Sequence, residues 1–219
     1  MTTLISTALT TLNRPWLKWG ALAALSLGLL IAPFTVYPLF LMNVFCLALF
    51  ASALNLVLGY AGLLSLGHAA FFGGAAYVTA HAAKAWELPF ELAVLLGIGF
   101  ATLLGLIFGL IGIRRYGIYF AMITLALAQM IYFLAVQMPF TNGEDGIQSV
   151  PRGMLLGLID LSEIRAMYYV VLVLVAAGLL AIWRCVHSPF GHVLAAIREN
   201  EPRAVSLGLD VARYKLIAF

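Results

Sequence analysis

Long apolar runs separated by short polar breaks dominate the pattern along the chain. A membrane-spanning helix needs about 20 apolar residues in succession. Runs that meet this length lie at about 19–36, 39–59, 62–83, 90–113, 116–138 and 166–183. Residues 214–219 resemble the first turn of a further helix. The pattern therefore predicts an all-α fold, a polytopic transmembrane bundle of about six spans plus the start of another, with 19–219 as one domain behind a tail at 1–18.

The composition favours the same class of protein. Apolar residues make up 64% of the 219 and charged residues 10%, and the mean hydropathy is +1.06. A soluble domain is about half apolar and about a quarter charged. The chain therefore has no separate soluble core to build; the lipid bilayer is its expected environment, and no nucleic-acid partner is expected.

The basic residues orient the predicted spans, because loops on the cytoplasmic side of a membrane carry an excess of lysine and arginine. If residues 1–18 are cytoplasmic, the inner segments hold nine basic residues and the outer ones hold three, namely Lys84, Arg152 and Arg165. We therefore expect a cytoplasmic N-terminus, a periplasmic loop at 139–165 and a cytoplasmic loop at 184–213.

Two stretches repeat small residues at a spacing of four. On a helix this spacing forms a stripe with little side-chain bulk, along which another backbone can come close. We expect close helix packing along both stripes, which consist of Ala61, Ser65, Ala69 and Gly73 in the first stretch and Gly97, Ala101, Gly105 and Gly109 in the second.

The first of these stretches, Leu54 to Tyr77, also contains the weakest boundary between spans. The sequence Gly59-Tyr60-Ala61-Gly62 carries no charge that would hold it at the membrane surface. Two alternatives remain open. The boundary is either a tight turn between two ordinary spans or a broken or re-entrant helix, a feature that often lines transport pathways.

Polar side chains occur inside the apolar runs, where lipid penalises them unless they face the bundle or a wet cavity. Two interpretations are open: hydrogen bonds that hold helices together, or the lining of a translocation pathway. The candidates are Asn55, Ser65, His68, Thr124, Gln129 and Tyr132.

No catalytic, cofactor-binding or metal site is predicted. His68 and His81 are thirteen residues apart without a neighbouring carboxylate, and His187 and His192 lie in a loop. A zinc site needs three or four converging ligands. The sequence G-x-x-x-x-G-K-[ST] does not occur, so we do not expect this chain to bind ATP through a P-loop.

The inner loop is longer than a connection between spans requires. Ser188 and Pro189 form a good helix start, with serine as the cap and proline in the first turn. Val193, Leu194 and Ile197 can share one face of the helix, while Arg198 and Glu199 stay wet. Its mixed charge argues against binding to lipid headgroups and favours a cytoplasmic protein partner.

Four blocks carry a family resemblance, and they occur in the order LNLVLGYAGLLSLGHAAFFGGAAY, GIYFAMITLALAQMIYF, TNGEDGIQSVPR and SPFGHVLAAIRENEPRAVSLGLDVARYKLIAF. Together they resemble the LivM-type permease subunit of branched-chain amino acid ABC transporters, over about residues 40–219. The resemblance implies a bacterial inner-membrane protein that works with a homologous LivH-type permease, two cytoplasmic ATP-binding subunits and a periplasmic substrate-binding protein. It also implies a chain that continues beyond Phe219.

The resemblance also gives the inner loop a role, because permeases of such importers dock a short cytoplasmic helix into a groove on the ATPase. Ala204 and Gly208 match the importer pattern, and Glu201 lies one position before its acidic residue. The coupling residues implied in this way are Ser188, Pro189, Phe190, Gly191, Ala196, Arg198, Glu199, Glu201, Ala204 and Gly208.

Function is therefore expected to be ATP-driven import of branched-chain or related amino acids. A permease for urea, amides or other small polar solutes is the alternative within the same family. A stand-alone carrier or channel is a further alternative, although the predicted spans hold no Asp, Glu, Lys or Arg in their interior that could couple transport to an ion.

Overall fold

The computed structural model describes residues 26–113, 115, 117–155, 157 and 159–219. Long helices dominate it. In chain order the elements are α1 (Ser26–Thr35), α2 (Pro38–Asn55), a π-helical turn (Leu56–Tyr60), α3 (His68–Ala85), α4 (Phe90–Gly112), α5 (Ile118–Gln137), β1 (Met154–Leu155), β2 (Ile159–Asp160), α6 (Ile164–Val186), α7 (Pro189–Glu199), α8 (Glu201–Ser206) and α9 (Val211–Ala218). The predicted all-α class is confirmed.

Among the described residues, four helical segments are long and apolar enough to cross a membrane: α2 with its π turn, α4, α5 and α6. The 18-residue α3 is richer in Gly, Ala and His, and it ends with Lys84 in its last turn. It would rise about 27 Å at 1.5 Å per residue, close to the thickness of a hydrocarbon core. Of the run predicted at 19–36, residues 19–25 lie outside the described residues.

The helices form two packed groups. In the first group α2 packs along α6, and α1 is attached by Tyr168 and Tyr169, whose hydroxyls donate hydrogen bonds to the carbonyls of Leu29 (2.7 Å) and Leu30 (3.0 Å). In the second group α3 packs along α4, and α5 packs against both. A ring contact between Phe50 and Phe72, 5.7 Å between centroids, joins the two groups.

The connection between α2 and α3 is where the sequence prediction and the structure differ most. A helical span was predicted from residue 62, but α3 begins only at His68. Residues 61–67, which we call the break segment, have no regular helix. Gly62 has a φ of +69°, a left-handed conformation that interrupts a right-handed helix. Ala61 and Ser65 therefore cannot belong to one helical stripe with Ala69 and Gly73.

At one end of the long helices, residues 138–163 form a loop with two short 3-10 turns and the antiparallel β1–β2 ribbon, in which Met154 pairs with Asp160. At the other end α7, α8 and α9 form a small unit, which we call the C-terminal module. Ile197, Ala204 and Val211, one residue from each helix, make its core. The break segment lies between this module and the second helix group.

Candidate functional site

The break segment alternates buried and exposed residues as a strand would. Ala61, Leu63 and Ser65 are 2%, 5% and 3% exposed, whereas Leu64 and Leu66 between them are 46% and 49% exposed. Side chains that alternate in burial in this way point to opposite faces of the segment in turn. One face of the segment is therefore fixed to the protein, and the other is left uncovered.

A hydrogen bond fixes the far end of the break segment to α5. The backbone N–H of Leu66 donates to Thr124 Oγ1 at 3.1 Å, and that hydroxyl donates to the carbonyl of Ala121 at 3.0 Å. Thr124 has no exposed surface. Since a segment without regular helix cannot satisfy its own N–H groups as a helix does, the threonine supplies the acceptor that the backbone of the break segment lacks.

A groove of about 240 Å³ runs between α3 and α5 beside this junction. Its walls are mainly apolar, and the amide of Gln129 and the phenolic groups of Tyr77 and Tyr132 are among its lining groups. The complete lining is Leu66, Ala69, Ala70, Gly73, Gly74, Tyr77, Leu125, Ala128, Gln129, Ile131, Tyr132 and Ala135. Closed small-molecule pockets hold about 300–1,000 Å³, so the groove has the size of one wall of a site rather than a complete site.

The structure separates the six predicted pathway residues. Gln129 and Tyr132 line the groove, and Tyr132 is 66% exposed. Ser65 and Thr124 are buried beside it, where Ser65 Oγ accepts a hydrogen bond from the N–H of Gly67 at 3.3 Å. Asn55 is exposed at the end of α2 and is not among the residues that line the groove.

His68 contacts an aromatic cluster rather than the groove. Its ring makes edge contacts with Phe71 and Phe219, 5.5 Å between centroids in each case. Its Nδ1 is buried without a hydrogen-bond partner among the described residues. Within the part of the chain that the structure describes, no three His, Cys, Asp or Glu side chains come together as metal ligands.

The predicted packing residues on α4 lie on one continuous helix. A Cβ at Gly97 would lie 3.0 Å from the carbonyl oxygen of Ala75 on α3, and one at Gly109 would lie 2.5 Å from Leu216 Cδ1 on α9. Ala101 and Gly105 lie between them and are half-buried. On the other stretch, Ala69 and Gly73 face the groove, and a Cβ at Gly73 would meet nothing within 4 Å in the part of the chain that the structure describes.

Side-chain caps and one ion pair hold the C-terminal module together. Ser188 Oγ caps α7 by accepting from the N–H of Gly191 at 3.4 Å. Asn200 and Asp210 cap α8 and α9 in the same way. Lys215 Nζ lies 2.7 Å from Glu201 Oε2, and the lysine side chain is only 6% exposed. Since a buried charge is costly unless it is paired, this ion pair stabilises α9 against α8.

The structure divides the ten predicted coupling residues into three sets: buried, engaged in contacts within the module, and exposed. Gly191 and Ala204 are buried, so they cannot present a surface to a partner; a Cβ at Gly191 would lie 2.7 Å from the carbonyl of Cys185. Phe190 stacks on Tyr214, Ser188 is a cap, and Glu201 is the ion-pair partner. The residues left exposed are Pro189, Ala196, Arg198, Glu199 and Gly208. Val205 and Leu207, which the sequence pattern did not single out, are 58% and 73% exposed in the same module.

The C-terminal module contacts the break segment directly. Leu194 of α7, which has no exposed surface, shares one core cluster with Val57 of the π turn and with Ala61 and Leu63. Arg198 Nη1 donates a hydrogen bond to the carbonyl of Gly59. These contacts join residues more than 130 positions apart in sequence, and no local pattern could have predicted them.

The opposite end of the helices is polar. His81 stacks on Phe140 at 3.7 Å between centroids, and Lys84 Nζ donates to the carbonyl of Gln148 at 2.7 Å. The N–H of Ser162 donates to Asp160 Oδ1 at 2.8 Å, and this hydrogen bond holds the pKa of the Asp160 carboxyl below its usual value. The loop at this end is thereby fixed to α3.

Comparison with known proteins agrees with the resemblance seen in the sequence. The family described as "Branched-chain amino acid transport system / permease component" matches residues 37–219. Two relatives, each named "High-affinity branched-chain amino acid transport system permease protein LivM", come from Escherichia coli and Salmonella typhimurium. Both are 31% identical to this chain over 189 residues, an alignment that covers 76% of this chain and 44% of the relative. The chain thus matches less than half the length of these relatives. No solved structure is significantly similar to it.

The match covers the break segment, the groove and the C-terminal module, so each of these features lies in the part of the chain that the family defines. The chain therefore belongs to the family of branched-chain amino acid transport system permease components.

Proposed function

We propose that this permease subunit moves branched-chain or related amino acids across the bacterial inner membrane as part of an ATP-driven importer. The assembly would contain a second, homologous permease of the LivH type, two cytoplasmic ATP-binding subunits and a periplasmic substrate-binding protein. The single observation that carries the proposal is the direct packing of the C-terminal module on the break segment, beside a groove, in a member of this permease family.

The groove between α3 and α5 supplies one wall of the translocation pathway. Its apolar lining suits an aliphatic side chain, while Gln129, Tyr77 and Tyr132 offer hydrogen-bonding groups without a full charge. A neutral zwitterion needs such dipoles more than it needs an ion pair. The groove is open and small, which supports completion of the pathway by the second permease.

The exposed side of the C-terminal module is the docking surface for an ATP-binding subunit. Val205 and Leu207 are apolar and exposed there, with Glu199 and Arg203 also exposed nearby in sequence. An apolar centre within a polar rim is the usual composition of a protein interface. The excess of basic residues that the sequence assigns to this end supports its cytoplasmic position.

In the proposed cycle, ATP closes the two ATP-binding subunits, and the docked module moves with them. Movement of the module shifts the break segment, and the two permeases then alternate between inward-open and outward-open states.

Transport by the reconstituted complex tests the proposed function. Proteoliposomes that contain the permease, its co-purifying subunits and the binding protein should take up labelled leucine only when ATP is enclosed with the ATP-binding subunits. Uptake of urea or an amide in place of leucine would identify the chain as a permease for small polar solutes, the alternative within the same family. Uptake without any ATP-binding subunit would contradict the proposal and favour a stand-alone carrier.

A pair of point substitutions tests the docking surface. Deleting residues 190–206 would remove Leu194 and Ile197 from buried positions and unfold the module, so Val205→Glu combined with Leu207→Glu is the sharper variant. It should abolish co-purification of the ATP-binding subunits and retain the second permease. Met154→Glu, a change at an exposed residue on the opposite end, is the control. An unchanged yield of ATP-binding subunit with the double variant would refute the assignment.

A further inference from the structure

Arg198 was predicted from the sequence as a contact of the ATP-binding subunit, yet its guanidinium points back into this chain. Nη1 donates to the carbonyl of Gly59, the fourth residue of the π turn. The last carbonyls of a helix have no partner within the helix, and a charged donor gives one of the stronger hydrogen bonds available to them. Arg198 thus binds the end of α2 from the neighbouring module.

The stem of the same side chain lies against the start of the break segment. A Cβ at Gly62 would be 2.7 Å from Arg198 Cγ and 3.5 Å from Arg198 Cβ. The arginine therefore contacts the chain on both sides of the point where the helix stops, with its head on Gly59 and its stem on Gly62. Gly62 leaves room for this stem and also provides the left-handed turn.

The break segment connects these two contacts to the groove. Its buried face consists of Ala61, Leu63 and Ser65; Leu66 follows, with its N–H held by Thr124 and its exposed side chain lining the groove. A segment of only seven residues that is fixed at both ends has little freedom to absorb a displacement. Movement of α7 at one end must therefore appear at Leu66 at the other.

We propose that Arg198 is a positioning residue that transmits movement of the C-terminal module to the break segment and so to the pathway wall. This inference rests on the proposed function, because it names the internal connection through which the docked module would act. Arg198 holds Gly59 and Gly62 to α7, so the module and the break segment move together. Without it, only apolar packing such as that of Leu194 on Ala61 and Leu63 joins them, and the pathway wall follows the module less closely.

The test compares transport with ATP hydrolysis in the reconstituted complex. Arg198→Ala should keep the ATP-binding subunits and hydrolyse ATP at close to the normal rate, while substrate uptake per ATP hydrolysed falls roughly tenfold, as expected for the loss of a coupling contact. Arg198→Lys should recover part of the uptake per ATP, because lysine keeps the positive charge although it lacks the planar donor fork of the guanidinium. Arg213→Ala, at an exposed arginine on α9, is the charge-matched control.

The outcomes separate the inference from the function beneath it. An unchanged uptake per ATP in Arg198→Ala would overturn the positioning role, and loss of the ATP-binding subunits would show that Arg198 is an intermolecular contact instead. If the unaltered complex neither binds ATP-binding subunits nor takes up substrate, the proposed function itself is wrong.

A distance measurement keeps the inference testable if transport of the variant is too low to quantify. With Cys46 and Cys185 replaced by serine, spin labels at the exposed Leu64 and His192 report on the break segment and on α7. Their separation should stay constant when ATP is added to the unaltered complex and should change in Arg198→Ala. A separation that responds in the same way in both proteins would contradict the proposal.

Discussion

Two stretches of this chain place small residues four positions apart, and the fold uses them differently. On α4, the stripe from Gly97 to Gly109 lies on one unbroken helix that contacts α3 near one end and α9 near the other. In the stretch from Ala61 to Gly73, residues 61–67 have no regular helix and only the part from His68 onward is helical. The α4 stripe brings α4 close to α3 and α9. The other stretch forms the connection between α2 and α3 and part of the wall of the groove.

The difference arises from what each glycine provides. At Gly97 a side chain would collide with a neighbouring backbone, so the residue allows close approach. At Gly62 the backbone itself is left-handed, and a residue with a Cβ pays about 1–2 kcal/mol for that conformation. Non-helical backbone at membrane depth is tolerated where protein covers it. Thr124 of α5 and Leu194 of α7 contact the buried side of the break segment, and these contacts also tie its movement to those helices.

The largest effect is expected on the α4 stripe. Gly97→Ala places a methyl group 3.0 Å from the carbonyl oxygen of Ala75 and closer still to Thr79. The Ala75 carbonyl belongs to the backbone of α3 and cannot rotate away as a side chain could, so α3 and α4 must separate. Overpacking of this kind costs about 1–3 kcal/mol. Thermal unfolding of the purified protein in detergent measures the loss.

Gly105→Ala is the matched control on the same stripe, because a Cβ there would be 4.0 Å from its nearest neighbour, the carbonyl of Phe219. An equal loss of stability in both variants would mean that the four-residue spacing, and not the local contact, determines the packing.

The next largest effect is expected at the start of the break segment. Gly62→Ala should cost about 1–2 kcal/mol for the left-handed backbone, with an added contribution from the collision with the Arg198 stem. Unfolding measured in a double-mutant cycle separates the two terms, since only the collision disappears when Arg198→Ala is introduced as well. Full additivity of the two substitutions would show that the stem does not press on Gly62.

The sequence was sufficient for the class of fold and for most helix bounds. The apolar runs at 90–113, 116–138 and 166–183 correspond to α4, α5 and α6 within a few residues, because lipid requires long apolar helices whose backbone groups are satisfied internally. The start of α3 could not be predicted as surely. Residues 62–67 are as apolar as a helix, and their conformation depends on Thr124 and on α7, which are distant in sequence.

The candidate site could be predicted from the sequence only in part, because the sequence shows polar residues within apolar runs but not how distant segments pack. Gln129 and Tyr132 are polar residues within an apolar run, and they do line the groove. The sequence could not show that Gly191 and Ala204 are buried in the C-terminal module or that Arg198 turns toward Gly59, because these depend on how three short helices fold against one another. Local spacing predicts which face a residue occupies, and tertiary packing decides what covers that face.

A smaller effect is expected from the hydrogen bond at the far end of the break segment. Thr124→Val removes the acceptor of the Leu66 N–H and leaves a buried donor unsatisfied, which costs about 1 kcal/mol. Thr102→Val is the control, since Thr102 is exposed and its hydroxyl only donates to the carbonyl of Ile98 in its own helix. Unfolding in detergent should separate the two variants. If Thr102→Val is equally destabilising, the bond to Leu66 does not stabilise the junction.

The smallest effect on stability is expected at Gly73. There the two stretches are compared by their effect on transport instead of stability. Gly73 and Gly99 both lie where a Cβ would meet nothing within 4 Å, one facing the groove and the other exposed on α4. Leucine at either position should change the free energy of unfolding by no more than about 0.5 kcal/mol. Only Gly73→Leu fills space in the groove, so only it should lower ATP-driven uptake. Equal uptake by the two variants would show that the groove is not part of the pathway. The close packing at Gly97 would not be affected by that result, because the small residues leave open space in one stretch and allow helix contact in the other.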